Sequence, residues 1–306
     1  MKIDRVIVSV DDNRSYQQYW PYFAEACYSK LNIKPTLLWV ASNPQKAFPY
    51  PSDIGEIIVV PQLPRVNVMF QSKIVRWIAA ATMEGTSLVN DIDMIFTSSR
   101  ILTPYRTLDS AAEVVVWSNT DPSFLRENRL LEDTTQFIPM IFSGFLAGNG
   151  EWLRKVFRSN DIPLSPGPLS QNWTKDLADR LLNIPSTYIG YPSAFIWLGS
   201  NPSYFSDQRY MNQLYHHYYM SDSSAKYPCW YPLTGMHANC TFGEAKIWWP
   251  SEAEIAQARE MLRKSSTLNV DISQYAAVHW YREPLQDPTL SLLASYIKGV
   301  YNNDNT

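Results

Sequence analysis

The 306-residue sequence is poor in cysteine, with three in all, and none belongs to a Cys-x-x-Cys pair. Cys27, Cys229 and Cys240 are an odd, scattered set, so neither a disulfide framework nor a structural zinc site is supported. No apolar run reaches the length needed to cross a bilayer. The N-terminal stretch Met1–Val10 is too short and too charged for a signal peptide. Charge of one sign is also missing: the formal net charge is −3 and charged residues make up 18% of the chain. That removes the electrostatic case for nucleic acid or an anionic membrane as the main partner. Glycine-rich phosphate loops are absent, because neither Gly-x-Gly-x-x-Gly nor Gly-Lys-Ser/Thr occurs. A dinucleotide fold and a P-loop are therefore not expected, and a bound nucleotide's phosphates would need a metal and side chains instead. With no internal repeat and no flexible linker, the expectation is one domain over residues 1–306, soluble and cytoplasmic.

What the sequence does hold is apolar and aromatic. Hydrophobic residues reach 45%, with 11 Trp and 19 Tyr, enough for a sizeable core and for surfaces that stack on sugar rings. Arg5-Val-Ile-Val-Ser-Val10 reads as a buried strand ending in Asp11-Asp12-Asn13. A helix over Ser15–Lys30 follows, with Tyr19, Phe23, Ala26 and Cys27 on one face. Strands are expected at Pro35–Ala41 and Glu56–Val60, a helix at Phe70–Met83, and then a strand approaching Asp91. This order predicts an α/β fold with a mainly parallel central sheet flanked by helices, Rossmann-like in plan.

Farther on, Glu113–Trp117 reads as a strand, Phe137–Gly148 as an apolar strand-like stretch, and Glu151–Arg158 as a short helix. Asn172–Asn183 reads as a helix with Asp176 in its first turn. Residues 184–250 show little periodicity and read as a long irregular excursion. Ser251–Lys264 carries a capping box through Ser251 and Glu254, and Pro288–Tyr301 reads as a last helix.

Ser87-Leu-Val-Asn-Asp-Ile-Asp-Met-Ile-Phe96 is the informative stretch. In an extended chain residues i and i+2 share a face, so Asp91 and Asp93 would enter one small volume. Two carboxylates that close need a cation or hydrogen-bond donors. Hard divalent ions favour such oxygens and bridge to phosphates. The chain has 17 aspartates, so chance alone supplies about one Asp-x-Asp. Position adds weight, since Asp11/Asp12 and Asp91/Asp93 both stand at the carboxyl ends of strands, where α/β sheets bind ligands.

Met236-His-Ala-Asn-Cys-Thr-Phe-Gly-Glu-Ala-Lys-Ile-Trp248 joins this pattern. It resembles the C-terminal His-Ala-Asn … Gly-x-x-Lys element of GT-A fold nucleotide-sugar glycosyltransferases, with a glycogenin-like Gly243-x-x-Lys246. Asp91-Ile-Asp93 resembles that family's Asp-x-Asp, and Gln71-x-Lys73 the helix before it. His237 stands six residues before Gly243, farther than in the glycogenin-like pattern, and Ile247 replaces the family's proline after the lysine. The resemblance implies Mn²⁺ or Mg²⁺ held by Asp93 and His237, with Asp91 reaching the metal or the ribose. It further implies Lys246 at the diphosphate, and Val10, Asp11 and Asp12 around the base and ribose, with Gln71 and Lys73 near the donor. Residues 1–100 become the nucleotide-binding half, 101–250 the acceptor-binding half, and 251–306 C-terminal helices. The partners implied are a nucleotide sugar, UDP-linked by preference, and a glycan or glycoprotein acceptor.

Asp176, with Asp179 second, is the expected general base if transfer inverts the sugar. A retaining enzyme would need none, and the sequence leaves both open. The rival readings are a metal-dependent phosphohydrolase and a non-catalytic carbohydrate-binding domain.

Overall fold

The computed structural model describes residues 2–106, 114–118, 145–156, 229–232, 240–242, 245–248 and 275–279. It also describes the single positions Asp207, Tyr210, Met211, Leu214 and Glu260. The chain opens with β1 (Arg5–Val10), whose residues are buried on both sides. β2 (Thr36–Ala41) and β3 (Glu56–Pro61) follow, then the long helix α3 (Val68–Thr82) and β4 (Thr86–Asn90). β6 (Val114–Ser118), β7 (Phe145–Asn149) and β8 (Cys229–Pro232) complete a seven-stranded sheet of order β3-β2-β1-β4-β7-β6-β8. Of these strands β7 alone runs against its neighbours β4 and β6, and every other pairing is parallel. The expected α/β class and mainly parallel sheet are therefore present.

Alternation along the strands fills both faces of this sheet. Val6, Val8, Leu37, Trp39 and Leu88 enter one apolar cluster, with Trp20, Phe23 and Ala24. Ile7, Leu38, Val40 and Val89 enter the other, with Ile74, Trp77 and Ile78 of α3 and Trp152 of α5 (Gly150–Val156). Continuous apolar strands result because helices cover both faces.

The helix expected over Ser15–Lys30 is three pieces: α1 (Arg14–Gln17), α2 (Trp20–Ala26) and a π-turn at Cys27–Leu31. Pro21 sits in the first turn of α2, where its missing N–H is harmless, whereas a helix continuous from Ser15 would need that donor. The expected apolar face is correct, with Tyr19, Phe23, Ala26 and Cys27 all buried.

A second, four-stranded sheet has the order β5-β11-β10-β9. Its strands are β5 (Met94–Phe96), β9 (Cys240–Phe242), β10 (Ala245–Trp248) and β11 (Ala277–His279). Phe96 meets Phe23 of α2 with ring centroids 5.6 Å apart, and Met94, Ile95, Ala277, Val278 and Ile247 join the same core cluster. β8, β9 and β10 correct the expectation of an irregular 184–250 segment. These strands are three or four residues long, too short for a local period to announce them; β8 and β10 pair with strands remote in sequence, and β9 pairs with the neighbouring β10. The helices expected at 172–183 and 288–301 lie outside the described residues, as does nearly all of 251–264.

The start of α5 is packed so closely on the end of α3 that only glycine fits. Gly150 N–H donates to Gly85 O at 3.0 Å, and a Cβ there would overlap the Met83 carbonyl and lie 3.1 Å from the Ala80 carbonyl. Both obstacles are backbone and cannot swing aside. Gly150→Ala is expected to destabilise the fold by about 2–3 kcal/mol, measured as a lowered urea midpoint with an unchanged slope.

Candidate metal centre

β4 runs parallel to β1, so Asp91 and Asp93, just past its end, share a rim with Asp11 and Asp12. The aspartates do not stand on an extended strand, as the sequence reading assumed. Met94 N–H donates to Asp91 O at 3.1 Å, folding Asp91-Ile-Asp93 into a turn between β4 and β5. The turn nevertheless brings the carboxylates together. β11 pairs antiparallel with β5 in a register that sets His279 opposite Met94, beside Asp93. His279 Nε2 lies 3.4 Å from Asp93 Oδ1. One ligand atom from each of Asp91, Asp93 and His279 falls within 4.8 Å of the others. Among the described residues no other such trio occurs.

β11 is held in place by its neighbour. Thr97 N–H donates to Ala276 O at 3.0 Å, and Thr97 Oγ1–H donates to Tyr275 O at 2.7 Å. His279 and Asp93 are buried and Asp91 is half-buried, so the trio has one side open to the rim.

Asp91 is neutralised from below by α3. Arg76, 2% exposed, pairs with the Asp91 carboxylate and donates from Nη1 to Asn90 O at 2.7 Å. Its Nε–H donates to Lys73 O at 3.2 Å, which aims the guanidinium. Burial pushes the Asp91 carboxyl upward, but the charges of Arg76, His279 and Lys73 outweigh it and hold the group below its ordinary value. Asp91 is therefore ionised at neutral pH.

Lys73 Nζ stands 3.3 Å from Asp207 Oδ1, and Asp207 is buried. Asp207 Oδ2 is also buried and has no hydrogen-bond partner. Gln71 is a buried staple: its Oε1 accepts from Leu63 N–H at 2.8 Å and its Nε2–H donates to Pro61 O at 2.9 Å.

Val10 ends β1 opposite Trp39 of β2. Asp12 joins the loops beyond those two strands, accepting from Trp39 Nε1–H at 3.0 Å and from Ser42 N–H at 2.9 Å. Burial lifts its carboxyl, but Ser42, Trp39 and the charge of Lys46 hold it below the usual value. Asp11 is shifted the other way, chiefly by burial and then by the charge of Asp12, with the Asn13 N–H opposing.

Lys246 lies in β10, one residue before the Ile247↔Ala277 pair, which puts its backbone in the sheet that carries His279. His237, Asp176 and Asp179 lie outside the described residues. Three groups went unrecognised in the sequence: His279, Arg76 and Asp207. For His279 a signal existed, since the chain has only four histidines and this one ends the apolar run Tyr275-Ala-Ala-Val-His279.

No family model matches the sequence, and no curated protein does. Among solved structures, the chain is similar to the galactosyltransferase LgtC with donor and acceptor sugar analogues, at 13% identity and TM-score 0.42, covering 97% of this chain and 95% of that one. It is also similar to the glycosyltransferase GlyE of Streptococcus pneumoniae TIGR4, at 12% identity and TM-score 0.42, covering 99% of this chain and 63% of that one. Mouse xyloside xylosyltransferase 1 follows at 10% identity and TM-score 0.38, covering 92% and 99%. Likenesses at this level assign no activity, and the functional reading rests on the residues above.

Removing the guanidinium tests the electrostatics. The folded-state carboxyl of Asp91 lies below its unfolded value, so its stabilising share is present at neutral pH and lost as pH falls through the folded value. Arg76→Met is expected to cost about 2 kcal/mol at pH 7, less than for a fully enclosed pair because Asp91 faces the rim. Urea unfolding at pH 7 and pH 4 should show the deficit narrowing at the lower pH, where Asp91 without its partner takes up a proton.

Proposed function

We propose that this chain is a metal-dependent glycosyltransferase, moving a sugar from a nucleoside-diphosphate donor to a hydroxyl of a glycan or glycoprotein. The observation that carries it is the convergence of Asp91, Asp93 and His279 at the carboxyl-end rim of a mainly parallel sheet. Two carboxylates and an imidazole suit Mn²⁺ and accept Mg²⁺. A 4.8 Å spread is close to what two bonds of about 2.2 Å can span, so small side-chain adjustments close the site. A bound cation would supply a Lewis acid for the departing diphosphate.

The chain's own groups divide the remaining work. Asp93 and His279 hold the buried side of the site, and Asp91, kept ionised by Arg76, offers the open side. His279 is the imidazole assigned here because its position relative to both aspartates is described; His237 stays a further candidate donor. Lys73, part-exposed beside the trio, and Lys246 on β10 are the proposed cations for phosphate oxygens. Val10, Asp11 and Asp12 line the rim for base and ribose. Asp12 is already engaged by Trp39 and Ser42, which leaves Asp11 as the carboxylate for a ribose hydroxyl. The buried Asp207 Oδ2 is an acceptor suited to a sugar hydroxyl. Gln71 supports the donor side by pinning the loop after β3 to α3. Asp176, then Asp179, is the proposed base should transfer invert, with UDP the proposed nucleotide.

A phosphohydrolase would place its nucleophile after the first strand. Asp11 and Asp12 stand there, but neither belongs to the metal-capable trio. No helix among the described residues is long and apolar enough to cross a membrane.

Thermal shift with UDP- and GDP-sugars, with and without Mn²⁺, separates the readings. The proposal expects a rise of several degrees that needs nucleotide and Mn²⁺ together, and its loss in Asp93→Ala. No metal-dependent stabilisation by any nucleoside diphosphate would sink it. Stabilisation by free sugars alone would favour a binding module. For Asp176→Ala, donor binding should persist while acceptor-dependent turnover falls by about 10²-fold or more; unchanged turnover removes it as base.

A further inference from the structure

β4 reads Thr-Ser-Leu-Val-Asn, and its last residue carries the bulkiest of the polar side chains that the strand buries. Strands between two apolar layers carry apolar side chains at such positions, and Leu88 and Val89 obey that rule. Asn90 does not, although it is 0% exposed. Its amide nitrogen donates twice, to Asp91 O at 2.8 Å and to Met94 O at 3.1 Å. Those carbonyls begin and close the turn that carries Asp91 and Asp93. Its amide oxygen, Oδ1, is buried with no hydrogen-bond partner. A carboxamide kept in a core with one end unsatisfied is costly to the fold, so its presence calls for a reason other than stability.

We propose that Asn90 is a positioning residue for the metal centre, and the proposal rests on the functional reading above. Its two N–H bonds fix the Asp91–Met94 turn at the spacing in which Asp91 and Asp93 act as ligands of one cation. The Met94 N–H to Asp91 O bond closes the turn but leaves its tilt free, because a single bond permits rotation about itself. The two bonds from Asn90 remove that freedom by tying both ends of the turn to a strand residue. Arg76 completes the arrangement from the other side, holding Asn90 O and the Asp91 carboxylate in one guanidinium. Ligand orientation by such outer contacts is commonly decisive for metal affinity.

This separates affinity from stability, because the bonds serve the turn while the orphaned oxygen burdens the fold. Asn90→Leu keeps the branching and the number of heavy atoms, deletes both donors and removes the unsatisfied oxygen, and it leaves the Asp91 and Met94 carbonyls without this partner. Its expected behaviour is a cooperative thermal transition without metal, showing a folded protein, with Mn²⁺ affinity weakened about 10–100-fold. Ser87→Ala is the control. Ser87 lies in the same strand and its Oγ is also buried without a partner, so no side-chain hydrogen bond ties it to the turn. That variant should bind Mn²⁺ as the unaltered chain does. Asn90→Ser, too short to reach both carbonyls, stands in should the leucine variant fail to fold.

The experiment titrates each full-length protein with Mn²⁺ alone, following the electron paramagnetic resonance signal of the free ion, beside thermal midpoints without metal. A selective loss of affinity in the Asn90 variants supports the inference. Equal Mn²⁺ affinity in the Asn90 variants and the unaltered chain overturns it while leaving the glycosyltransferase reading standing. Affinity that falls only in step with the thermal midpoint, in Ser87→Ala as well, overturns it by making Asn90 merely structural. No Mn²⁺ binding by the unaltered chain removes the metal-dependent reading, and the role of Asn90 with it.

Discussion

The arrangement depends on a guanidinium set beneath the first of two neighbouring carboxylates. Asp91 and Asp93 repel each other across a short turn, and a folded chain holding them there needs positive charge within a few ångströms. Arg76 supplies it permanently, from a helix most of whose other side chains are buried. An arginine suits this place because its charge is insensitive to pH and its planar fork reaches two acceptors at once. Here those acceptors are Asp91 and Asn90 O. The acidic turn can therefore persist before any ligand arrives, and α3, the largest helix on that face, becomes part of the site as well as part of the core.

The architecture around that contact was legible in the sequence wherever an element was long. β1 and β2 announce themselves as unbroken β-branched and apolar runs because both faces are covered. The helical period of Phe70–Met83 marks α3 to within two residues at its start and one at its end. The break at Pro21 was visible and went unread, since the apolar face continues across it. The strands of the second sheet were not legible. Three or four residues are too few to show a period, and β5, β10 and β11 are strands through pairing with segments far along the chain, while β9 pairs with β10 beside it. His279, one of four histidines, closes an apolar run, but what makes it a ligand is the pairing of β11 with β5, remote in sequence.

The aspartates show a subtler gap between pattern and structure. Their spacing predicted convergence by way of strand pleating, and convergence is found, but by way of a turn. A turn can be tilted, so it needs fixing in a way that a strand does not. That need accounts for contacts at Asn90 and Arg76 that the spacing alone gives no cause to expect.

The acidic turn also joins two sheets. Asp91 leaves the large sheet at the end of β4, and Asp93 enters the small sheet at the start of β5, where His279 waits on the neighbouring strand. The distance between the two like charges is thus set by how the two sheets are joined. Coulomb energy varies inversely with that distance and is steepest when the distance is short. The seam between the sheets is therefore also the place where the strength of the site's pull on a cation is decided.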